Sequence, residues 1–220
     1  MTAPPIVVPI LATPFGVVQL PEAEALNPVL AQLFALRMHA DDSAQRRNPF
    51  CYRSRDDLLE WQESPVRQLS AALFRGLYSV INAVNDFSDG QLSSFALQAR
   101  GWFTIIAPDG CVPAANYPLT AWCGIYCVAA PELSSTRADS GVLRLYESHL
   151  GTMFSDATNA VMRLPFTPGH YTWRPVPGQM AVFPASLTHE IALLRSPSDL
   201  LLVTVRARFV APGQQGVGRW

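Results

Sequence analysis

Short runs of β-favouring residues, separated by turn residues, fill the chain from about residue 91 to residue 212. Two strong turn sequences interrupt them, Pro108-Asp109-Gly110 and Val176-Pro177-Gly178. The predicted strands are Trp102–Ile106, Trp122–Val128, Val142–Tyr146, Ala160–Leu164, Gln179–Phe183, Glu190–Leu194 and Leu200–Val210. Many short strands joined by turns are typical of a sandwich or jelly roll. The sequence therefore predicts a mainly β fold for residues 91–212.

Two amphipathic helices are predicted upstream of the β-rich region. Asn27-Pro28 supplies a helix N-cap followed by a proline at the first helical position. Ser64-Pro65 repeats this signal before a long row of apolar residues with helical spacing. A short helix is also predicted after Ser54-Arg55-Asp56-Asp57, which resembles a capping box. Helices packed outside a barrel are the simplest assembly of these elements.

The length of 220 residues suits a single domain that can bury a full core. We expect one domain over 1–220, in which an N-terminal strand and helical part, 1–90, packs on the barrel. Hydrophobic residues make up 49% and charged residues 15% of the chain, which argues against disorder. The formal net charge of −1 gives no field that would attract nucleic acid or an anionic membrane. The expected partner is therefore a small-molecule substrate, and a homodimer is a further possibility.

No apolar run reaches the length of about 20 residues that spans a bilayer. The N-terminal segment lacks the basic start of a signal peptide, so we expect a cytoplasmic protein. The four cysteines are then expected to be reduced thiols. Cys123 and Cys127 share one face of a strand, where they could bind a metal or act as small buried hydrophobic residues.

Three ordered motifs carry a resemblance to a known family. Residues Pro177–His189 read PGQMAVFPASLTH, in which a turn enters a strand, Phe-Pro bends the chain and a histidine begins the next strand. Upstream, Pro118–Val128 reads PLTAWCGIYCV and Ser140–Leu145 reads SGVLRL. This order of motifs resembles the bacterial Fe(II)/2-oxoglutarate-dependent oxygenases, whose fold is a double-stranded β-helix, a cupin-like jelly roll. The resemblance extends over nearly the whole chain and implies that fold here, with His189 at the position of the family's distal iron ligand.

The residues that would bind iron and 2-oxoglutarate in this family are largely replaced. The resemblance places Ala115 and Tyr117 at the positions of the family's H-x-H pair. Alanine offers no ligand atom, and a tyrosine, with a pKa of about 10, must lose its proton to bind iron. In the last strand, Leu202 stands at the family's co-substrate arginine and Thr204 at its serine. We therefore expect that no cofactor is used.

Two arrangements of the candidate site remain open from the sequence. In one, no metal is bound, and His189 acts as an acid or base with Tyr117 or Glu147 as its partner. In the other, His189 and either His149 or Glu147 rebuild an iron site, with Fe(II) and 2-oxoglutarate as cofactors. No spacing in the sequence decides between them.

The walls of the predicted pocket come from strands whose orientation the sequence leaves undecided. Alternation places every second residue from Leu202 to Arg208 on one face of the last strand, which points either into the barrel or to solvent. It also places Trp122 and Tyr126 together on one face of an earlier strand. The candidate substrate-binding residues are Ala115, Trp122, Tyr126, Thr204, Arg206 and Arg208.

The resulting expectation is an oxygenase-like protein that no longer uses Fe(II) or 2-oxoglutarate. It would bind a small organic substrate in the barrel and catalyse a metal-independent, non-redox step of secondary metabolism. Cyclisation, isomerisation, dehydration and pericyclic reactions match this equipment. The alternatives are an active, divergent Fe(II)/2-oxoglutarate-dependent hydroxylase and a ligand-binding protein without catalytic activity.

Overall fold

A computed structural model of the protein describes residues 12–41, 49–132, 138–146 and 169–213. The helices that it describes are α1 Ala23–Ala40 and α2 Ser64–Ala83. The strands are β1 Gly16–Gln19, β2 Cys51–Arg53, β3 Ala96–Ile106, β4 Val112–Ala115, β5 Trp122–Ala129, β6 Leu143–Tyr146, β7 His170–Trp173, β8 Gln179–Pro184, β9 His189–Ile191 and β10 Leu200–Val210.

The strands form two antiparallel sheets, which pack on each other through a shared apolar cluster. The larger sheet has the order β1-β8-β5-β10-β3-β2, and the smaller has the order β4-β9-β6-β7. Strand β10 lies inside the larger sheet, where it pairs with β3 along its whole length and with β5 on its other side. The predicted mainly β jelly-roll fold with flanking helices is confirmed.

The larger sheet buries both of its faces. One face packs against α1 and α2 and carries Tyr126 and Val203. The other faces the smaller sheet and lines the barrel interior with residues such as Cys123, Phe183 and Leu202. Because side chains alternate along a strand, the face of β10 that starts at Leu202 points into the barrel.

The helix predictions are correct for α2 and wrong for the start of α1. Helix α2 begins at Ser64 with Pro65 in its first turn, and it buries its apolar row. Helix α1 begins at Ala23, so Asn27 does not cap it and Pro28 lies inside it. The proline removes one helical N–H bond, and burial of the apolar residues on both sides of it outweighs that loss.

The capping-box prediction is wrong, because the side chains of that segment bind elsewhere. The Ser54 hydroxyl accepts the backbone N–H of Phe103 at 3.0 Å, which fastens this segment to β3. The Asp57 carboxylate accepts the indole N–H of Trp61 at 3.2 Å. A single 3-10 turn, Leu58–Glu60, follows instead of an α-helix. Within the described ranges, none of the helices has the length and apolar character needed to cross a membrane.

The strands predicted within the described residues are present, and β3 starts earlier than expected, at Ala96. The predicted strand Ala160–Leu164 lies outside the described residues. An N-terminal strand was expected without bounds, and β1 lies in that part of the chain. Strands β2, β4 and β7 were not predicted, because each has only three or four residues. Segments of that length are too short to show a period of two.

Candidate functional site

His189 begins β9 in the smaller sheet and is 7% exposed. Its Nδ1 lies 2.9 Å from the backbone oxygen of Leu187. Because a carbonyl only accepts hydrogen bonds, Nδ1 carries the proton and the neutral ring has its lone pair on Nε2. Burial lowers the pKa of His189, so the ring is neutral at pH 7. Phe183 packs edge-on against this ring, with 5.0 Å between the ring centres.

Tyr117 lies beside His189, with 5.5 Å between the ring centres and 63° between the ring planes. Its backbone N–H donates to the Ala185 oxygen at 2.8 Å, and its carbonyl accepts the Thr120 hydroxyl at 3.0 Å. These bonds hold the backbone of Tyr117 from both sides. Burial raises the pKa of the phenol to about 12, so the phenol keeps its proton at pH 7. The pair therefore brings a protonated phenol ring into contact with a neutral imidazole ring.

Arg206, on β10, points into the same end of the barrel. Its guanidinium carbon lies 5.5 Å from the ring centre of Tyr117 and 5.7 Å from that of Trp102. Its Nη2 lies 3.0 Å from Oδ2 of Asp56, and Arg53 forms an ion pair with the same carboxylate. Arg53 also lies over the indole of Trp102, at 4.2 Å from the ring centre. Two cations, one carboxylate and two aromatic rings thus meet at this end of the barrel.

Thr204 and Ala115 lie next to residues of this group. Thr204 is 7% exposed, pairs with Trp102 across β10 and β3, and lies two residues before Arg206 on the same face. Ala115 pairs with His189 across β4 and β9. Each residue thus lies beside a candidate residue, and the binding roles of both stay predictions.

Arg208 lies further along β10, where its Nε donates to the side-chain oxygen of Gln98. It is therefore displaced from the other candidate residues toward the end of the strand. The candidates Glu147 and His149 lie outside the described residues, so their predicted roles stay predictions.

Tyr126 and Trp122 do not face the barrel interior. Tyr126 is fully buried in the cluster between the larger sheet and the helices, and Trp122 packs against the same cluster. Their neighbours on β5, Cys123, Ile125 and Cys127, point into the barrel instead. The prediction that Trp122 and Tyr126 line the pocket is therefore wrong, because alternation turns this face of β5 toward the helices.

Several solved structures share the architecture of this chain over most of its length. A prolyl-4-hydroxylase from Pseudomonas putida matches with a TM-score of 0.56 and 12% identity, over 88% of this chain and 92% of that chain. AviO1 from Streptomyces viridochromogenes Tue57 matches with a TM-score of 0.55 and 14% identity, over 94% of each chain. A prolyl hydroxylase from Trichoplax adhaerens, in complex with a hypoxia inducible factor peptide fragment, has a TM-score of 0.54 and 13% identity, over 88% of this chain and 83% of that chain. The chain has the fold of the 2OG-Fe(II) oxygenases.

At these identities, the likeness to proteins of the oxygenase fold concerns the fold alone. No protein-family model matches the sequence, and no curated protein matches it. The resemblance predicted from the three motifs is confirmed for the fold. The chemistry must be argued from the residues that the fold brings together.

The described residues do not fit the iron site that the oxygenase fold implies. Ala115 has no ligand atom, and Tyr117 would have to lose a proton whose pKa is about 12. Across residues 12–41, 49–132, 138–146 and 169–213, no three His, Cys, Asp or Glu side chains are grouped so that they could hold a metal ion. Among the described residues that the resemblance places at iron-ligand positions, His189 is the one that is a histidine.

The described residues also do not fit the 2-oxoglutarate anchor of the oxygenase fold. Leu202, at the expected position of the arginine, is 2% exposed in the apolar cluster that lines the barrel. It lies opposite Thr104 and Cys127 on the two neighbouring strands. The nearest arginine on the same face of β10 is Arg206, about 13 Å further along the strand at roughly 3.3 Å per residue.

Arg53, Asp56 and Trp102 were missed by sequence reasoning. The pairing of β2 with β3 brings Arg53 to the inner face of β3, and the segment after β2 brings Asp56 to the same place. Trp102 lies within a predicted strand, but the sequence did not show which face was inside. The strand register, which pairs Trp102 with Thr204, is the signal that would have found it.

Proposed function

We propose that this protein binds a small organic molecule in the barrel and catalyses a metal-independent proton transfer on it. The observation that carries this proposal is the contact between the neutral ring of His189 and the protonated phenol of Tyr117, at 5.5 Å between ring centres. A base and an acid side by side are what an isomerisation, dehydration or cyclisation without oxidation requires.

In the proposed step, His189 is the general base. Its Nδ1 proton is held by the Leu187 carbonyl, which leaves the Nε2 lone pair to accept a proton from substrate carbon next to a carbonyl group. The hydrogen bond to the backbone also fixes the ring orientation. The depressed pKa keeps the ring unprotonated, and therefore competent as a base, at neutral pH.

Tyr117 is the general acid in the same step. With a pKa of about 12, its phenol donates a proton to the carbonyl oxygen as the C–H bond breaks, and an enol forms. Transfer of the proton from His189 to a different substrate carbon, with return of the enol proton to the Tyr117 phenolate, completes an isomerisation and regenerates both side chains, so electrons and atoms balance without an oxidant. Glu147 is a second candidate partner of His189.

Exchange of carbon-bound protons for deuterium tests this proposal directly. We would incubate the protein in D2O with phenylpyruvate, 2-oxobutyrate and 4-phenyl-2-butanone, and follow the loss of C–H signals by NMR. The expected result is exchange above the background rate for at least one compound, unaffected by prior treatment with EDTA. His189→Ala should lower the enzymatic rate by about 10²-fold to 10⁴-fold, and Tyr117→Phe by about 10²-fold.

His170→Ala is the matched control, because His170 is an exposed histidine on β7 of the same sheet as His189. This variant should exchange at the wild-type rate. Equal rates in wild-type protein and the His189→Ala variant would contradict the proposal.

A divergent Fe(II)/2-oxoglutarate-dependent hydroxylase is the second candidate function. It is favoured by the Nε2 lone pair of His189, which is left available because Nδ1 bonds to the Leu187 carbonyl. The sequence resemblance assigns His189 to the family's distal iron ligand. Elemental analysis and an assay for succinate distinguish it from proton transfer. Stoichiometric iron with conversion of 2-oxoglutarate to succinate would establish the hydroxylase, and ligand binding without either reaction would indicate a non-catalytic binding protein.

A further inference from the structure

Two arginines share one carboxylate at the end of the barrel that holds His189 and Tyr117. Arg206 lies 3.0 Å from Asp56, and Arg53 forms an ion pair with the other oxygen of the same carboxylate. The side chains of Arg53, Arg206 and Asp56 are 43%, 22% and 33% exposed, so the group is open to a ligand. Among the described residues, two guanidinium groups thus share one carboxylate.

Aromatic rings fix the direction in which these cations point. Arg53 lies over Trp102, and Arg206 lies beside the rings of both Trp102 and Tyr117. Trp102 itself is only 3% exposed and packs edge-on against Tyr117, with 5.6 Å between the ring centres. Such cation–π contacts hold guanidinium groups in place without using up their N–H donors.

We infer that Arg53 and Arg206 form a carboxylate-binding subsite, which holds the ionised end of a small organic acid beside Tyr117. Each guanidinium carries five N–H donors in a planar fork that matches a carboxylate. One aspartate accepts from both arginines here, and a ligand carboxylate adds the second acceptor that two forks can hold. Asp56 is a positioning residue, which keeps both forks together when no ligand is bound.

The subsite is separate from the position at which the family holds its co-substrate. Arg206 lies about 13 Å from Leu202 along β10, on the same inward face. It also contacts the ring of Tyr117, which in turn contacts His189. A carboxylate held by Arg206 therefore leaves the rest of a small molecule within reach of the proposed acid and base. The inference rests on the proposed function in one respect only, the proton transfer at the end of the molecule that is not held by Arg206.

Binding of matched charged and neutral probes tests the subsite. Isothermal titration would compare benzoate, phenylacetate and indole-3-acetate with the corresponding primary amides. Wild-type protein should bind at least one carboxylate about tenfold more tightly than its amide, since charge-assisted hydrogen bonds are roughly twice as strong as neutral ones. Arg206→Gln and Arg53→Gln should each remove that preference and leave amide binding unchanged.

Arg195→Gln is the control for loss of a paired arginine. Arg195 forms the same kind of ion pair, at 3.0 Å, with Asp109, but it lies before the start of β10, away from Arg206. This variant should keep the wild-type preference for carboxylates. Arg206→Lys should give an intermediate affinity, which tests the site even if the glutamine variant fails to fold.

The outcomes separate this subsite from the proposed reaction. A carboxylate preference that survives in Arg206→Gln, or its absence from the wild-type protein for all three probes, would overturn the subsite. Deuterium exchange that depends on His189 would then still support the proposed function. Conversely, a preference that is lost in Arg206→Gln and kept in His189→Ala supports the subsite, whether or not any exchange is seen.

Discussion

The phenol of Tyr126 donates a hydrogen bond of 2.6 Å to the side-chain oxygen of Asn27, which lies 99 positions earlier in the chain. Tyr126 lies in the middle of β5, and Asn27 lies in helix α1. The bond therefore connects the helical layer to the larger sheet. It also explains why Asn27 does not act as a helix cap, since its side chain is turned to the sheet.

Loss of this bond should lower stability without affecting the barrel interior. Tyr126→Phe keeps the buried ring and removes the donor, so the free energy of unfolding should fall by about 1 kcal/mol. Asn27→Ala should cost a similar amount, and the double variant should cost less than both single changes added together. Chemical denaturation measures all three. Tyr78→Phe is the control, because the Tyr78 phenol makes no hydrogen bond among the described residues, although its ring contacts Phe209.

The fold was predictable because its main signals, the short β-rich runs and the ordered motifs, recur regularly over much of the chain. The β-rich runs and the ordered motifs around Pro118–Val128 and Pro177–His189 were enough to predict a jelly roll. The orientation of β5 was not predictable. Both faces of β5 are apolar and buried, so its alternation carries no information about which side faces the helices.

Gly110 should tolerate alanine far less well than Gly124. A β-carbon at Gly110 would lie 2.0 Å from the backbone oxygen of Phe50, which cannot move without disturbing β2. At Gly124 the nearest atom is the terminal methyl of Met180, at 2.2 Å, which a rotation can displace. We expect Gly110→Ala to cost about 2–3 kcal/mol and Gly124→Ala about 1 kcal/mol, from denaturation midpoints. Equal costs would contradict this reading of the two contacts.

Acidification should destabilise the protein through His189. Burial lowers its folded pKa below the ordinary value of 6.5. As the pH falls below about 6.5, the unfolded chain binds a proton that the folded chain does not, so stability is lost until the lowered folded pKa is reached. The contribution to the slope is at most about 1.4 kcal/mol per pH unit. Denaturation curves between pH 7 and pH 5 would measure it.

The variant His189→Phe separates this contribution from the other titrating groups. It should show a weaker loss of stability with falling pH than the wild-type protein, because the unfolded chain no longer gains that proton. An unchanged slope in His189→Phe would show that burial does not depress the pKa of His189.

One of the four cysteines should react rapidly with a thiol reagent in the folded protein. Cys111 is exposed, whereas Cys123 and Cys127 are buried in the barrel. Burial raises the pKa of Cys51 to about 11 and that of Cys127 to about 12, and it also raises the pKa of Cys123. Because the thiolate is the reactive form, titration with Ellman's reagent at pH 8 should show one fast thiol, which Cys111→Ser removes. Four thiols should react after unfolding.

The candidate site was only partly predictable, for a physical reason. His189 and Tyr117 were found because each occupies a position in a motif. Arg53 and Asp56 were given no role in the site, since Asp56 was assigned to a capping box, and they reach the site only through the pairing of β2 with β3. A contact between distant segments depends on strand register, which a single sequence does not display for a strand of three residues.

The inward face of β10 has a consequence for how such barrels diverge. Leu202 and Arg206 differ by an even number of positions, so both point to the interior. Substitutions at inward positions can thus place a charged side chain at different points along the strand, roughly 6.6 Å apart, with no change of backbone. A one-residue insertion or deletion would instead turn the following side chains toward the helices. Substitutions on this strand can therefore change what the barrel contacts, whereas a change in its length would reverse which side chains enter the core.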